Sequence, residues 1–267
     1  MNLLEETKFI LKKYGIRADK SLGQNFLINE DVVNSIVNSS NINKEDLIIE
    51  IGPGLGTLTS FLLEKAGKVI AVELDKRMIE ILTDRFKLYN NFKLINDDIL
   101  KVNLNEVIGK NLNETIKNVK IVANLPYYIT TPIIEKITTL GLVKGMTLLV
   151  QKEVGERFLA SNGTSTYGYF TAYLNYFYDM KKVIDVSRDK FNPSPKVDSM
   201  VVKFISNIKE NLDFESFNRF LKKCFINKRK TLRNNLGIDL ELYGYKNTVR
   251  AEELSIYDLI DLFKKIK

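Results

Sequence analysis

The sequence contains no histidine and only a single cysteine, Cys224. Without histidine the commonest general base is missing, and no Ser-His or Cys-His nucleophile pair can form. One cysteine cannot make an intrachain disulfide, and the usual soft ligands of zinc are absent. These absences exclude imidazole-dependent hydrolases and zinc enzymes, and we expect no bound metal.

Long apolar runs are missing as well. No stretch approaches the roughly 18 apolar residues of a membrane span, and residues 1–13 form a mixed-charge stretch without the apolar core of a signal peptide. The 267 residues are 45% hydrophobic with a mean hydropathy of -0.12, which fits a globular chain with one sizeable core and a small appendage. We predict a cytoplasmic protein with no membrane contact.

Short apolar runs alternate with helical patterns from residue 47 onward, which is typical of a doubly wound, mostly parallel α/β sheet. The first five strands are predicted at residues 47–51, 69–72, 92–95, 119–123 and 147–150. Two later candidates, residues 182–186 and 199–205, are close enough to pair antiparallel and would complete a seven-stranded sheet. Helical patterns alone follow. We therefore predict a catalytic domain over residues 1–206 and a small helical domain over residues 207–267.

Positive charge is concentrated near the end of the chain. The net charge is +7 with a pI near 9.2, and residues 206–267 hold 13 Lys and Arg against 9 Asp and Glu. Between Arg219 and Arg233 no acidic residue interrupts the basic ones, whereas a solvated helix face usually mixes both signs. This pattern favours contact with phosphates over a merely solvated face. The residues of that stretch that we predict to bind RNA are Lys222, Lys223, Lys228, Arg229, Lys230 and Arg233.

A glycine-rich turn, Glu50 to Gly56, joins the first predicted strand to a helix. Such turns let a ligand approach the backbone, and they occur both in dinucleotide enzymes and in methyltransferases that use S-adenosylmethionine. Gly52, Gly54 and Gly56 alternate, whereas the dinucleotide fingerprint needs its third glycine at the position of Thr57. The spacing therefore favours S-adenosylmethionine.

Polar residues end the next strands. Glu73 follows the second strand, where a carboxylate can accept hydrogen bonds from both ribose hydroxyls of an adenosine. Because NAD also contains an adenosine, this residue does not distinguish NAD from S-adenosylmethionine. Asp98 follows the third strand and can accept an adenine amino group, or it can cap a turn. With Gly52 and Asn124 they mark the carboxyl ends of four successive strands, the edge at which open sheets bind ligands.

The tetrapeptide Asn124 to Tyr127 combines a side-chain amide, a carbonyl restricted by Pro126 and an aromatic ring. The amide oxygen of Asn124 and the carbonyl of Leu125 can both accept from an exocyclic NH2 on a flat base, and Tyr127 can stack on the ring. A strand followed by a simple proline turn is the alternative.

Six motifs occur in a fixed order: Lys20 to Leu27 (KSLGQNFL), Glu50 to Gly56 (EIGPGLG), Val72 to Asp75 (VELD), Asp97-Asp98, Asn124 to Tyr127 (NLPY) and Phe191 to Ser199 (FNPSPKVDS). Through them the chain resembles, over nearly its whole length, the ribosomal RNA adenine N6-dimethyltransferases, a Rossmann-like family that uses S-adenosylmethionine. The chain departs from the usual pattern at Gly155, which weakens a helix by roughly 1 kcal/mol relative to alanine, and at Tyr169-Phe170.

The resemblance implies roles for individual residues. Asn25, Leu27, Gly52 and Gly54 would border the cofactor, Glu73 would hold its ribose and Asp98 would meet its adenine. Asn124 would lie between cofactor and target, acting with Leu125 on the target amino group. Tyr127 and Phe191 would face each other across a flipped base. Lys190 and Lys196 would meet RNA phosphates together with the basic residues near the end of the chain.

Two branches share most of these motifs. Leu125, residues 15–24 and residues 229–236 resemble the small-subunit branch, whereas the macrolide-resistance branch more often carries isoleucine at position 125. We therefore predict dimethylation of two adjacent adenosines in the loop of the 3'-terminal hairpin of small-subunit rRNA, with a role in small-subunit biogenesis. The expected partner is rRNA within a pre-30S particle, and the enzyme is expected to be monomeric. The alternatives are a resistance-type large-subunit methyltransferase, a non-catalytic assembly factor that binds RNA, and methylation of a protein glutamine.

Overall fold

The computed structural model describes residues 2–19 and 23–266. The chain forms two compact units, Met1–Gly155 with Lys181–Phe204 and Glu156–Met180 with Ile205–Lys267. Lys20, Ser21 and Leu22 of the first motif lie outside the described residues. Within the described part of the chain, no helix is long and apolar enough to cross a membrane.

A seven-stranded sheet organises the first unit, in the order β4-β3-β2-β5-β6-β9-β7. Its strands are β2 (Asp46–Ile51), β3 (Lys68–Glu73), β4 (Phe92–Asn96), β5 (Asn118–Asn124), β6 (Val143–Gln151), β7 (Tyr178–Val186) and β9 (Ser199–Ser206). The pairs β2-β3, β2-β5, β3-β4 and β5-β6 are parallel. A separate two-stranded antiparallel sheet joins β1 (Phe26–Leu27) to β8 (Phe191–Asn192). The predicted seven-stranded, mostly parallel sheet is confirmed.

The central strands are apolar because both faces of the sheet are covered. All six residues of β2 are buried, and Ile48, Ile49 and Ile70 are fully inaccessible to solvent. The helices of the unit up to β6 are α1 (Leu3–Lys13), α2 (Glu30–Ser39), α3 (Thr57–Lys65), α4 (Lys76–Phe86), α5 (Leu104–Gly109) and α6 (Thr130–Thr138). Their amphipathic faces supply the remainder of the core.

The second unit is helical. Its α-helices are α8 (Tyr169–Phe177), α9 (Phe214–Cys224), α10 (Leu232–Leu236) and α11 (Ile256–Ile266), and α7 (Lys152–Phe158) runs into it. Rings of Tyr176, Phe217 and Phe263 pack at centroid distances of 5.0 and 5.3 Å. The predicted boundary at residue 206 placed residues 156–180 in the first domain, whereas they pack with the helices of the second unit.

Candidate active site

A cleft opens at the carboxyl ends of β2, β3 and β5, where the parallel strands present their terminal residues. Nine of the ten residues predicted to be catalytic or to bind cofactor line this cleft: Asn25, Leu27, Gly52, Gly54, Glu73, Asp98, Asn124, Leu125 and Tyr127. The structure thus brings together, in one place, residues that are up to about a hundred positions apart in sequence. The exception is Phe191.

The glycine loop after β2 turns through left-handed backbone conformations. Gly52 and Gly54 have φ of +65° and +58°, a region that residues with side chains rarely adopt. Gly56 also has a positive φ, and a steric constraint is added to it: a Cβ there would lie 2.6 Å from the ring of Phe86 on α4. The first two glycines therefore shape the cleft, and the third allows α4 to pack closely.

Glu73, the last residue of β3, fastens two loops together. One carboxylate oxygen accepts from the Gly54 N–H at 3.1 Å and the other from the Asp75 N–H at 2.8 Å. The side chain is 7% exposed, and burial raises its pKa although these hydrogen bonds oppose the shift. The carboxylate is thus held in place at the floor of the cleft.

Glu50 also lines the cleft, and sequence reasoning gave it no role. It is 1% exposed, and burial, together with the nearby charge of Glu73, raises its pKa to about 8 against the opposing effect of the Thr59 hydroxyl. Its Oε2 makes no hydrogen bond of acceptable geometry to a described residue. The signal for it was present, because a carboxylate inside the apolar run of β2 is costly unless a partner neutralises it.

The sequence left two roles open for Asp98, a ligand-binding residue and the cap of a turn, and its position is compatible with both. It lines the cleft, and its Oδ1 accepts from the Leu100 N–H at 2.9 Å, so that it also caps the turn after β4. The turn fixes the direction of the carboxylate at the sheet edge.

The amide of Asn124 is oriented by the N-terminal segment. Its Nδ2 donates to the carbonyl of Asn25 at 3.2 Å, which leaves Oδ1 as the acceptor for another group. The Leu125 N–H donates to the Leu149 carbonyl of β6 at 3.1 Å. Among the hydrogen bonds of the described residues outside regular helices and strands, none goes to the Leu125 carbonyl oxygen. Two candidate acceptors, the Asn124 amide oxygen and the Leu125 carbonyl, therefore belong to consecutive residues at the end of β5.

The ring of Tyr127 is held by its hydroxyl. Tyr127 Oη and Ser199 Oγ lie 2.8 Å apart, and Ser199 is fully buried at the start of β9. Burial raises the pKa of Tyr127, and the bond to Ser199 opposes this shift. Tyr127 lines the cleft two residues after Leu125.

Phe191 lies elsewhere. It is 3% exposed, pairs with Leu27 across the β1-β8 ladder and belongs to a hydrophobic cluster with Phe26 and Val186. It does not line the cleft described above. In this conformation its ring serves the packing of the β1-β8 sheet.

Gln24, which also lines the cleft, anchors the N-terminal segment by hydrogen bonds of its side-chain amide. Its Nε2 donates to Asp75 at 2.7 Å and its Oε1 accepts from the Asp19 N–H at 2.8 Å. Although burial opposes it, the hydrogen bonds from Arg77 and Gln24 lower the pKa of Asp75. The segment that orients Asn124 is thereby fastened to the turn that follows Glu73.

The predicted RNA-binding residues are on the surface. Lys196 is exposed, and Lys190 is half-buried with its ammonium 3.2 Å from Asp189. Ion pairs in the described part of the second unit join other residues, such as Lys209 with Asp179 and Lys264 with Glu210. The six basic residues of this unit that were predicted to bind RNA are all exposed: Lys222, Lys223, Lys228, Arg229, Lys230 and Arg233.

Solved structures share this architecture. A dimethyladenosine transferase from Plasmodium falciparum superposes with a TM-score of 0.77 at 29% identity, covering 90% of this chain and 97% of that one. The 23S rRNA methyltransferase ErmE superposes with a TM-score of 0.71 at 21% identity over 90% of this chain and 99% of its own, a likeness of fold.

Curated relatives match over nearly the full length. The Ribosomal RNA small subunit methyltransferase A of Clostridium acetobutylicum is 43% identical over 97% of this chain and 98% of its own. The protein of the same name from Thermotoga maritima is 41% identical over 97% of this chain and 89% of its own. The family described as ribosomal RNA adenine dimethylase matches residues 15–267. The chain therefore belongs to the ribosomal RNA adenine dimethylase family, whose members are methyltransferases that act on rRNA.

Proposed function

We propose that this enzyme transfers methyl groups from S-adenosylmethionine to the N6 atoms of two adjacent adenosines in the loop of the 3'-terminal hairpin of small-subunit rRNA. The observation that carries the proposal is the pair of acceptors at the end of β5, Asn124 Oδ1 and the Leu125 carbonyl. Two acceptors match the two N–H bonds of an exocyclic amino group. The names of the relatives from Clostridium and Thermotoga favour the small subunit.

The cleft fits the proposed methyl donor. S-adenosylmethionine, when bound, supplies a methyl group carried by a positively charged sulfur. Glu73 would accept the ribose hydroxyls and Asp98 would meet the adenine, while Asn25, Leu27 and the loop of Gly52 and Gly54 border the ligand. The buried Glu50 Oε2, which makes no hydrogen bond to a described residue, supports a cationic occupant because a positive charge would stabilise the ionised form of this carboxyl group.

The residues of the chain act mainly by position. The lone pair of an adenine amino nitrogen is delocalised into the ring, so the nitrogen is a poor nucleophile. Acceptors on both N–H bonds draw it toward tetrahedral geometry and free the lone pair for in-line attack. As positive charge develops on the nitrogen, Asn124 and Leu125 bind it more strongly, which stabilises the transition state selectively.

The target base has to leave its stack to reach the end of β5. Stacking on Tyr127 is worth roughly 1 to 3 kcal/mol, comparable with the cost of unstacking. Phe191 would take part as the second aromatic surface only after leaving its position in the β1-β8 sheet. Lys190, Lys196 and the exposed basic residues of the second unit would bind rRNA phosphates in the pre-30S particle, to which the enzyme would bind as a monomer.

Methylation of unmodified small and large subunits, side by side, tests the proposal. With methyl-labelled S-adenosylmethionine, label should enter the small subunit alone and map to two neighbouring adenosines as N6-dimethyl groups. Label in the large subunit would identify a resistance-type enzyme instead, and absence of label with retained RNA binding would identify an assembly factor.

A further inference from the structure

Tyr128 is an exposed aromatic residue of the active-site cleft, and it directly follows the tyrosine proposed to receive the target base. Three aromatic residues of the described chain line the cleft. Phe26 is 6% exposed and Tyr127 is half-buried, whereas Tyr128 is 56% exposed. No step of the proposed methyl transfer uses Tyr128.

Local structure directs the two tyrosine side chains differently. Both belong to a short 3₁₀ turn, Tyr127–Ile129, that begins two residues after Leu125. Successive side chains of a 3₁₀ helix point about 120° apart, because the helix has about three residues per turn. The hydrogen bond with Ser199 holds Tyr127 toward the buried start of β9. The ring of Tyr128 is therefore directed away from it and is open to solvent.

Gly23 leaves the ring of Tyr128 accessible. A Cβ at position 23 would lie 3.7 Å from Cδ1 of Tyr128, so a side chain there would contact the ring and cover part of it. The φ of Gly23 is +63°, which residues with side chains rarely adopt. Asn25 restrains this turn, because its Nδ2 donates to the Gly23 carbonyl at 3.0 Å. The backbone thus favours the one residue type that cannot shield the ring.

The flipping of a base creates a need for such a ring. When the target adenosine leaves its stack, the base beside it loses a stacking partner, and this loss is part of the cost of flipping. Stacking of a base on an aromatic side chain is worth about 1 to 3 kcal/mol. Tyr128 adjoins the proposed site of the target base, whereas Glu73 and Asp98, proposed for the cofactor, follow β3 and β4.

We propose that Tyr128 stacks on the base that adjoins the flipped adenosine and replaces the stacking partner that this base has lost. The inference rests on the proposed function, because it takes rRNA as the substrate. It adds a second base-binding position to the cleft, for a nucleotide that is not methylated in the same step. Part of the cost of unstacking would be offset by the same short turn that receives the target.

Three substitutions of Tyr128 test the proposal through binding of unmodified small subunits. Tyr128→Phe keeps the aromatic ring and should leave affinity unchanged. Tyr128→Leu keeps apolar bulk and Tyr128→Ala removes it, and both should weaken affinity by roughly 5- to 150-fold because neither side chain can stack. Phe9→Ala is the matched control, because Phe9 is a 57% exposed ring of the same unit that does not line the cleft.

Affinity for S-adenosylmethionine, measured by calorimetry, should be the same in all four variants as in the wild type. Weaker cofactor binding in Tyr128→Leu would place the ring at the cofactor and overturn the proposal. Loss of subunit affinity in Tyr128→Phe would assign the contact to the hydroxyl and would also overturn it. Unchanged subunit affinity in Tyr128→Leu and Tyr128→Ala would reject the stacking position while leaving the methylation function intact.

Photocrosslinking identifies the base. The amino acid p-benzoylphenylalanine, incorporated at position 128, should crosslink to an rRNA nucleotide that directly adjoins a methylated adenosine. A crosslink to a ribosomal protein, or to rRNA far from the methylated loop, would reject the proposal. Failure of the wild-type protein to methylate small subunits would reject the proposed function itself.

Discussion

The hydroxyl groups of Tyr127 and Ser199 lie 2.8 Å apart and connect Tyr127, two residues after the acceptor pair, to the start of β9. Tyr127 lines the cleft, and the bond at its hydroxyl restricts the orientation of its ring. Ser199 is fully buried, and under the proposed function we expect it to position the ring of Tyr127 for the target base.

A double-mutant cycle measures this positioning. Tyr127→Phe and Ser199→Ala should each lower kcat/KM for the small subunit by roughly 5-fold, as expected for loss of one hydrogen bond of about 1 kcal/mol. Because both changes break the same bond, the double variant should lose little more than either single one. Affinity for S-adenosylmethionine should stay unchanged in all three. Additive losses would show that the bond does not couple the two residues.

Asn124→Ala and Glu73→Ala separate the reaction centre from the cofactor site. Removal of the Asn124 amide should lower methylation at least 100-fold while S-adenosylmethionine still binds, because one of two acceptors at the nitrogen is lost. Glu73→Ala should instead weaken cofactor binding, measured by calorimetry. Asn96→Ala is the matched control, since it loses a side-chain bond to the Glu73 carbonyl at 2.9 Å without lining the cleft. Equal loss of cofactor binding in the two test variants contradicts the assignment.

Neutralising the basic run should change how rRNA binding depends on salt. Replacing Lys228, Arg229 and Lys230 by glutamine would remove the three phosphate contacts that we propose for this run. The slope of log affinity against log salt concentration should then fall by about 2, at about 0.7 per contact for single-stranded RNA. A control triple variant carries glutamine at three exposed lysines of the first unit, Lys8, Lys93 and Lys144. Identical slopes for the wild type and the test variant would exclude the run from the interface.

Glu50 should make stability depend on pH. Its pKa is raised from 4.5 to about 8 in the folded protein, so the native state keeps a proton that the unfolded chain releases. The free energy of unfolding should therefore fall as pH rises from about 4.5 to about 8, on the order of 5 kcal/mol from this group. Urea denaturation measures it, and Glu50→Gln should remove most of this decline. A decline of the same size in the variant would assign it to other groups.

The sequence predicted the location of the cleft because parallel strands end at one edge, so Glu73, Asp98 and Asn124 had to meet there. It could not predict which partner each side chain finds. The carbonyl that orients Asn124 belongs to Asn25, 99 residues away in the sequence. Because every residue has a backbone carbonyl, the residue type at position 25 does not predict this contact. Glu50 was visible as an acid within an apolar strand, but its burial depends on strands that flank it on both sides.

Packing explains other differences between prediction and structure. Gly155 weakens α7 when considered alone, yet a Cβ there would lie 2.8 Å from the sulfur of Met200 on β9, so glycine lets the helix approach the sheet. Phe191 has the residue type of a stacking platform, and its antiparallel pairing with Leu27 buries it. Residues 156–180 have no composition that separates them from the sheet domain, and only tertiary contacts assign α8 to the helical unit.

The two hydrogen bonds that the Glu73 carboxylate accepts from the backbone amides of Gly54 and Asp75 have a consequence for affinity. A flexible carboxylate side chain would lose rotamer freedom on binding a ribose, and this loss costs about 0.5 to 1.5 kcal/mol of binding free energy per ordered side chain. Here the protein's own backbone has already imposed that order during folding. The Glu73 carboxylate is therefore preorganised. A hydrogen bond from a ribose hydroxyl would contribute to the binding free energy with little loss to side-chain ordering.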